Sequence, residues 1–156
     1  MLFRSIHDAG GTVDKFLGDG IMAFFGAPQP VDNPCEPAFA AARNMLERLR
    51  ALNLKLAARG EAPIAIGIGL HVGDAVVGHV GADTRHDYTA IGDTVNVASR
   101  LEGLTKDVNF PLVCSVGVFG ALGDRSGFAA LGERAIKGHR PVDVYGWRPD
   151  NGAAAN

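Results

Sequence analysis

Asp14-Lys15-Phe16-Leu17-Gly18-Asp19-Gly20-Ile21-Met22-Ala23-Phe24-Phe25-Gly26 decides how the rest of the chain is read. Two runs rich in β-branched and aromatic residues, Thr12 to Leu17 and Ile21 to Phe25, flank a Gly-Asp-Gly, the pattern of a β-hairpin with a tight bend. Gly18 and Gly20 accept positive φ or let the backbone approach a ligand closely, so Asp19 between them projects from the hairpin tip rather than into the core. That position suits a metal-binding carboxylate. The alternative is an Asx-turn residue that only stabilises the bend.

Outward from the hairpin, Leu2, Phe3 and Ile6 stand at near-helical spacing before Gly10-Gly11, which reads as the end of a helix. Downstream, Pro28 and Pro30 end the second strand. Asn33-Pro34-Cys35-Glu36 then supplies an N-cap, a first-turn proline and a Glu at N3, a capping box opening a long helix. Phe39, Ala42, Leu46, Leu49 and Leu56 track one face, with Asn53 out of character, and Gly60 suits the position just past the end. Ile64 to Val72 reads as a buried strand that Gly73-Asp74 joins to Ala75 to Val80 as a second hairpin, with Gly67 and Gly69 marking bulges or close backbone approach.

Asp93 or Thr94 is expected to cap a helix to about Thr105, burying Val97, Leu101 and Leu104. Asn96 and Arg100, one turn apart, then share a different and accessible face. Leu112 to Cys114 reads as a strand, Val116 to Leu122 as a short helix, and Phe128 to Leu131 and Val142 to Trp147 as strands. Hairpins alternating with helices imply an α+β architecture, an antiparallel-rich sheet with helices packed on it.

Composition narrows the function classes. At 156 residues and 47% hydrophobic, the chain fits one domain that buries roughly two-thirds of its unfolded surface. A net charge of −2 with no long basic run argues against nucleic acid or a membrane surface as partner. Cys35 and Cys114 lie far apart and form no C-x-x-C, which argues against a disulfide scaffold or structural zinc and fits a reducing cytoplasm. No run reaches the roughly 18 to 20 apolar residues of a membrane span. Gly67-x-Gly69 lacks the third glycine of a dinucleotide fingerprint, and no P-loop pattern occurs. His71 and His79 read as ordinary strand histidines, and His86-Asp87 as a chance pair in a loop.

Val13-Asp14-Lys15-Phe16-Leu17-Gly18-Asp19-Gly20 resembles the metal-binding hairpin of class III adenylate and guanylate cyclase catalytic domains. Tyr88-Thr89-Ala90-Ile91-Gly92-Asp93-Thr94-Val95-Asn96-Val97-Ala98-Ser99-Arg100-Leu101-Glu102 resembles the segment carrying that family's catalytic Asn and Arg, and Ile136-Lys137-Gly138 follows in order. The resemblance covers roughly Gly10 to Trp147. It implies the ferredoxin-like cyclase fold and conversion of ATP to 3′,5′-cyclic AMP and pyrophosphate at a dimer interface, with two Mg²⁺ or Mn²⁺ ions per site.

By the same resemblance Asp19 is a metal ligand, Asn96 orients the ribose, Arg100 neutralises the α-phosphate and Lys137 meets the terminal phosphates. Lys15 and Thr89 choose the base, and a Lys that donates but cannot accept suits adenine N1 and conflicts with guanine N1–H. The family's first metal Asp sits on an initial strand whose match would fall before Met1. The expectation is therefore a domain over 1–150 that lacks its first strand and most of its first helix, and a disordered tail over 151–156. Such a chain is expected to be weakly active or inactive as a homodimer and to complete one site in a heterodimer with another cyclase subunit. The competing reading is a non-catalytic cyclase-like module that dimerises or binds nucleotide. A diguanylate cyclase is disfavoured, because its Gly-Gly-[Asp/Glu]-Glu-Phe hairpin is missing from the sequence.

Overall fold

The computed structural model describes residues 2–80 and 87–149. In chain order the elements are α1 (Phe3–Asp8), β1 (Thr12–Leu17), β2 (Gly20–Phe24), α2 (Cys35–Ala58), β3 (Ile68–Leu70) and β4 (Val76–Val80). They continue with β5 (Asp87–Ile91), α3 (Asp93–Val108), β6 (Leu112–Ser115), α4 (Val116–Ala121), β7 (Phe128–Ile136) and β8 (His139–Trp147). The tail expected over 151–156 and the loop reading of His86 lie outside the described residues.

β6 organises the core, because a strand covered on both faces reads as a continuous apolar run. Leu112 and Cys114 point into a cluster with Cys35, Phe39, Ala42 and Leu46 of α2, Val118 of α4 and Trp147 of β8. Val113 points the other way, to Val97 and Leu101 of α3, Ile136 of β7 and Val144 of β8. The period-2 alternation of one short strand thus seats a helix on each face of the sheet. Sheet order is β3-β6-β8-β7, with β3 parallel to β6 and the other two pairings antiparallel. β1–β2 and β4–β5 form two separate two-stranded sheets.

Three local expectations are corrected. The stretch from Ile64 to Val72 keeps ladder pairing only at β3, and β3 pairs with β6 while β4 pairs with β5, so no hairpin joins β3 to β4. At the start of that stretch the Asn53 side chain donates to Ile64 O at 2.9 Å and accepts from Ile64 N at 2.8 Å, which occupies the Ile64 backbone away from any ladder. At the start of α2, Asn33 Oδ1 accepts from Cys35 N at 3.3 Å, but Glu36 does not close a capping box. Its Oε1 accepts from Gly123 N at 2.6 Å and ties α2 to the end of α4. At α3, Gly92 occupies the N-cap without a side-chain bond, and Thr94 Oγ1 donates to the Asp74 carbonyl instead of capping.

The other helix end follows expectation. Gly60 adopts φ 72°, Gly60 N donates to Ala57 O at 3.0 Å and Glu61 N to Leu56 O at 2.9 Å, the paired bonds of a Schellman motif. Close approach also accounts for Gly69, where an added Cβ would lie 2.4 Å from both Ala98 O and Glu102 N on α3. Gly69→Ala is expected to push α3 off the sheet and cost about 1–3 kcal/mol, whereas Gly78→Ala, with nothing within 4 Å of its new Cβ, stays near neutral. Urea unfolding midpoints of the two variants check the contrast.

Candidate functional site

The register of β1 slips between Val13 and Lys15, making Asp14 the extra residue of a β-bulge opposite Ala23 and Met22. A bulge breaks strict alternation and re-aims side chains, and here it turns a carboxylate inward. The Asp14 side chain is 2% exposed. Its Oδ2 accepts from Thr89 Oγ1 at 2.8 Å and from Ala90 N at 3.0 Å, fastening β1 to β5 across two separate sheets. Its Oδ1 stands 3.7 Å from Lys15 Nζ. Lys15 and Thr89, 74 positions apart in the chain, are thereby held on one carboxylate.

Two residues, Gly18 and Asp19, turn the chain from β1 to β2, with Leu17 paired to Gly20 and Gly18 at φ 63°. A positive φ at the first turn position is the pattern of a type II′ hairpin. Asp19 is exposed and makes no side-chain hydrogen bond or ion pair among the described residues, so the Asx-turn alternative finds no support. No cluster of three or more His, Cys, Asp or Glu able to hold a metal occurs among the described residues. A single free carboxylate offers hard oxygen donors, which suits an ion such as Mg²⁺ that draws its remaining ligands from phosphate and water.

Gly92, at φ 143°, makes the sharp passage from β5 into α3. Val97 and Leu101 are fully buried, which turns Asn96 and Arg100 to the exposed side of the helix. Neither side chain has a hydrogen-bond or ion-pair partner among the described residues. Lys137 and Gly138 form the two-residue turn between β7 and β8, closed by the Ile136–His139 pair with Gly138 at φ 78°. Lys137 is exposed and likewise unpaired among the described residues. His139 Nε2 meets Asp93 Oδ2 at 3.1 Å, so the turn bearing Lys137 is pinned to the first turn of the helix bearing Asn96 and Arg100.

The structure therefore gathers five of the six candidate residues into two linked groups: Lys15 with Thr89 through Asp14, and Lys137 with the α3 pair through His139 and Asp93. Asp19 makes no hydrogen bond or ion pair with the α3 pair or Lys137 among the described residues. A model of the adenylate and guanylate cyclase catalytic domain matches residues 3–147. The chain belongs to this family. Adenylate cyclase 1 of Rhizobium meliloti (strain 1021) is 41% identical over 140 residues, 89% of this chain and 21% of that protein. The crystal structure of the adenylyl cyclase CyaB from P. aeruginosa superposes with a TM-score of 0.83 at 32% identity, covering 96% of this chain and 77% of that one. The guanylyl cyclase Cya2 superposes with a TM-score of 0.79 at 30% identity, covering 94% and 74%. The cyclase domain described here spans about a fifth of the length of the curated relatives it matches. The expected α+β cyclase fold is thus borne out.

Two features of the cyclase domain escaped sequence reasoning. Asp14 stands in the sequence only as a charged residue within the first strand of the hairpin, and its place in a bulge is set by the pairing with β2. His139, which reads in sequence as part of a basic cluster with Arg134 and Arg140, turns to Asp93, while Arg134 donates to Leu131 O at 3.3 Å. His71 is also more than a strand histidine: Nδ1 lies 2.8 Å from Oγ of the buried Ser115. Burial first, then the charge of His139, pulls His71 below its ordinary value of about 6.5, with Asp93 opposing.

The sign follows from proton counting. Below about pH 6.5 the unfolded chain protonates His71 before the folded one does, so this residue's share of stability is present above that pH and lost as pH falls through the window. Thermal melts between pH 7.5 and 5 are expected to fall off less steeply for His71→Asn than for the unaltered protein.

Proposed function

We propose that this cyclase domain converts ATP to 3′,5′-cyclic AMP and pyrophosphate in a site completed by a second cyclase subunit, either another copy or a related chain. The observation that carries the reading is the exposed, unpaired Asn96–Arg100 pair on α3, tied through Asp93 and His139 to the turn of Lys137. In the reaction the ribose 3′-oxygen bonds to the α-phosphorus, the bond from that phosphorus to the bridging oxygen breaks, and pyrophosphate departs. The 3′-hydroxyl proton passes to solvent.

Each residue has a task matched to its chemistry. Arg100 offers a fork of donors to the non-bridging oxygens as charge builds at the α-phosphorus. Asn96 holds the ribose so that its 3′-oxygen lies in line, Lys137 meets the terminal phosphates, and Lys15 with Thr89 reads the base. Asp19 would hold Mg²⁺ or Mn²⁺ in part, and the ion when bound would supply charge neutralisation at the phosphates and a lowered pKa for the attacking hydroxyl.

A second subunit is supported by apolar surface beside these groups. Phe16 and Leu17, just before the Asp19 turn, are 65% and 57% exposed, and Val76 and Ile91, paired across β4–β5, are 74% and 51% exposed. Apolar side chains exposed in this number beside a candidate site mark an interaction face.

The test mixes the chain with an active cyclase subunit whose own matching Arg has been replaced. Cyclic AMP output is expected to rise with added chain, and Arg100→Ala in the added chain is expected to cut that rise by at least about 100-fold. No rise at any ratio contradicts the catalytic reading. Nucleotide binding without turnover would instead support a non-catalytic module.

A further inference from the structure

A threonine is an ambiguous reader of a purine. Its hydroxyl has one hydrogen and two lone pairs, so it can accept from the 6-amino group of adenine or donate to the 6-oxygen of guanine. Lysine is unambiguous, because an ammonium only donates. Adenine presents an acceptor at N1 beside a donor at the 6-position, and guanine presents the reverse. A site containing Lys15 and a freely rotating Thr89 would discriminate at N1 alone.

Thr89 does not rotate freely here. Its Oγ1 donates to Asp14 Oδ2 at 2.8 Å, and the same oxygen is fixed by Ala90 N at 3.0 Å. The Asp14 side chain is 2% exposed and Thr89 is 6% exposed, so water competes little for either partner. The second carboxylate oxygen faces Lys15 Nζ at 3.7 Å. The three polar partners of Asp14, Thr89 Oγ1, Ala90 N and Lys15 Nζ, all donate, and a carboxylate, which only accepts, leaves Thr89 no choice about where its hydrogen goes.

We infer that Asp14 is the positioning residue for base choice: by consuming the Thr89 hydrogen, it makes Thr89 an acceptor toward the nucleotide while holding Lys15 beside it as a donor. The inference rests on the reading that Lys15 and Thr89 face the base. The bulge at Asp14 is what makes the arrangement possible, since it lets neighbouring residues 14 and 15 serve one patch instead of opposite faces of the strand. A 6-oxo purine then meets lone pairs at its 6-position and an ammonium at its N1–H, two mismatches instead of one.

Substitution at Asp14 separates this role from that of a strut between β1 and β5. Asp14→Asn keeps an oxygen that can accept from both Thr89 and Ala90 but loses the charge. Asp14→Ala removes the acceptor. Affinities for ATP and GTP, measured by calorimetry with Mn²⁺ on the whole chain, are expected to differ by on the order of tenfold or more for the unaltered protein and for Asp14→Asn. For Asp14→Ala the ratio is expected to fall by at least about threefold, to the part that Lys15 alone supports, chiefly through gained affinity for GTP.

A readout without nucleotide covers the case in which the Ala variant fails to fold. The Thr89 hydroxyl hydrogen of the unaltered protein is expected as a resolved, slowly exchanging proton resonance close to its own methyl group; a hydroxyl in fast exchange overturns the inference. An ATP-to-GTP ratio that is equal in the unaltered and Ala proteins overturns it alone, leaving the cyclase reading intact. Binding of neither nucleotide by the unaltered protein, alone or mixed with the active cyclase subunit, overturns both.

Discussion

Everything that positions the site depends on how α3 is sealed to the sheet. Val97 and Leu101 are fully buried against Val113, Ile136 and Val144, and burial of such side chains is worth roughly 1.5–3 kcal/mol each. With those two positions committed inward, helical geometry leaves Asn96 and Arg100 no orientation but outward. The seal is tight because Gly69 of β3 has no side chain to hold α3 away. Local stiffness near the chemistry is therefore inherited from the apolar core.

The hairpin and the helices were legible in the sequence because their signals are local. The Gly-Asp-Gly bend needs only neighbouring residues, and the Val97–Leu101 stripe needs only the period of a helix. Pairing between distant strands was not legible. Ile64 to Val72 and Ala75 to Val80 look like hairpin partners across Gly73-Asp74, but the structure gives β3 to β6 and β4 to β5. Local turn chemistry favoured the shorter closure, and it was overridden by the burial of β6 on both faces.

The partners of polar side chains were not legible for a related reason. Asn53, Glu36, Thr94, His139 and Asp14 each find a partner far along the chain, in Ile64, Gly123, Asp74, Asp93 and Thr89. Their short-range alternatives, a cap or a solvated face, are what a sequence displays. Four of the six positions named by resemblance behave oppositely: Asp19, Asn96, Arg100 and Lys137 are exposed with no hydrogen-bond or ion-pair partner among the described residues, whereas Lys15 and Thr89 are held by Asp14. The cysteines fall on the structural side: Cys35 and Cys114 are both free, and burial pushes the Cys114 thiol up to about 12, which removes it from chemistry near neutral pH. No helix among the described residues is long and apolar enough to cross a membrane.

The central claim is that a nucleotide is gripped between the Asp19 hairpin of one subunit and the exposed face of α3 of another. A crystal structure of the chain with a non-cyclisable ATP analogue and Mg²⁺ tests it most directly. The account predicts an ion on the Asp19 carboxylate, with Asn96 and Arg100 from the facing copy on the ribose and α-phosphate. Asp19 turned away from every ion, or α3 far from the hairpin of any neighbouring copy, would contradict it.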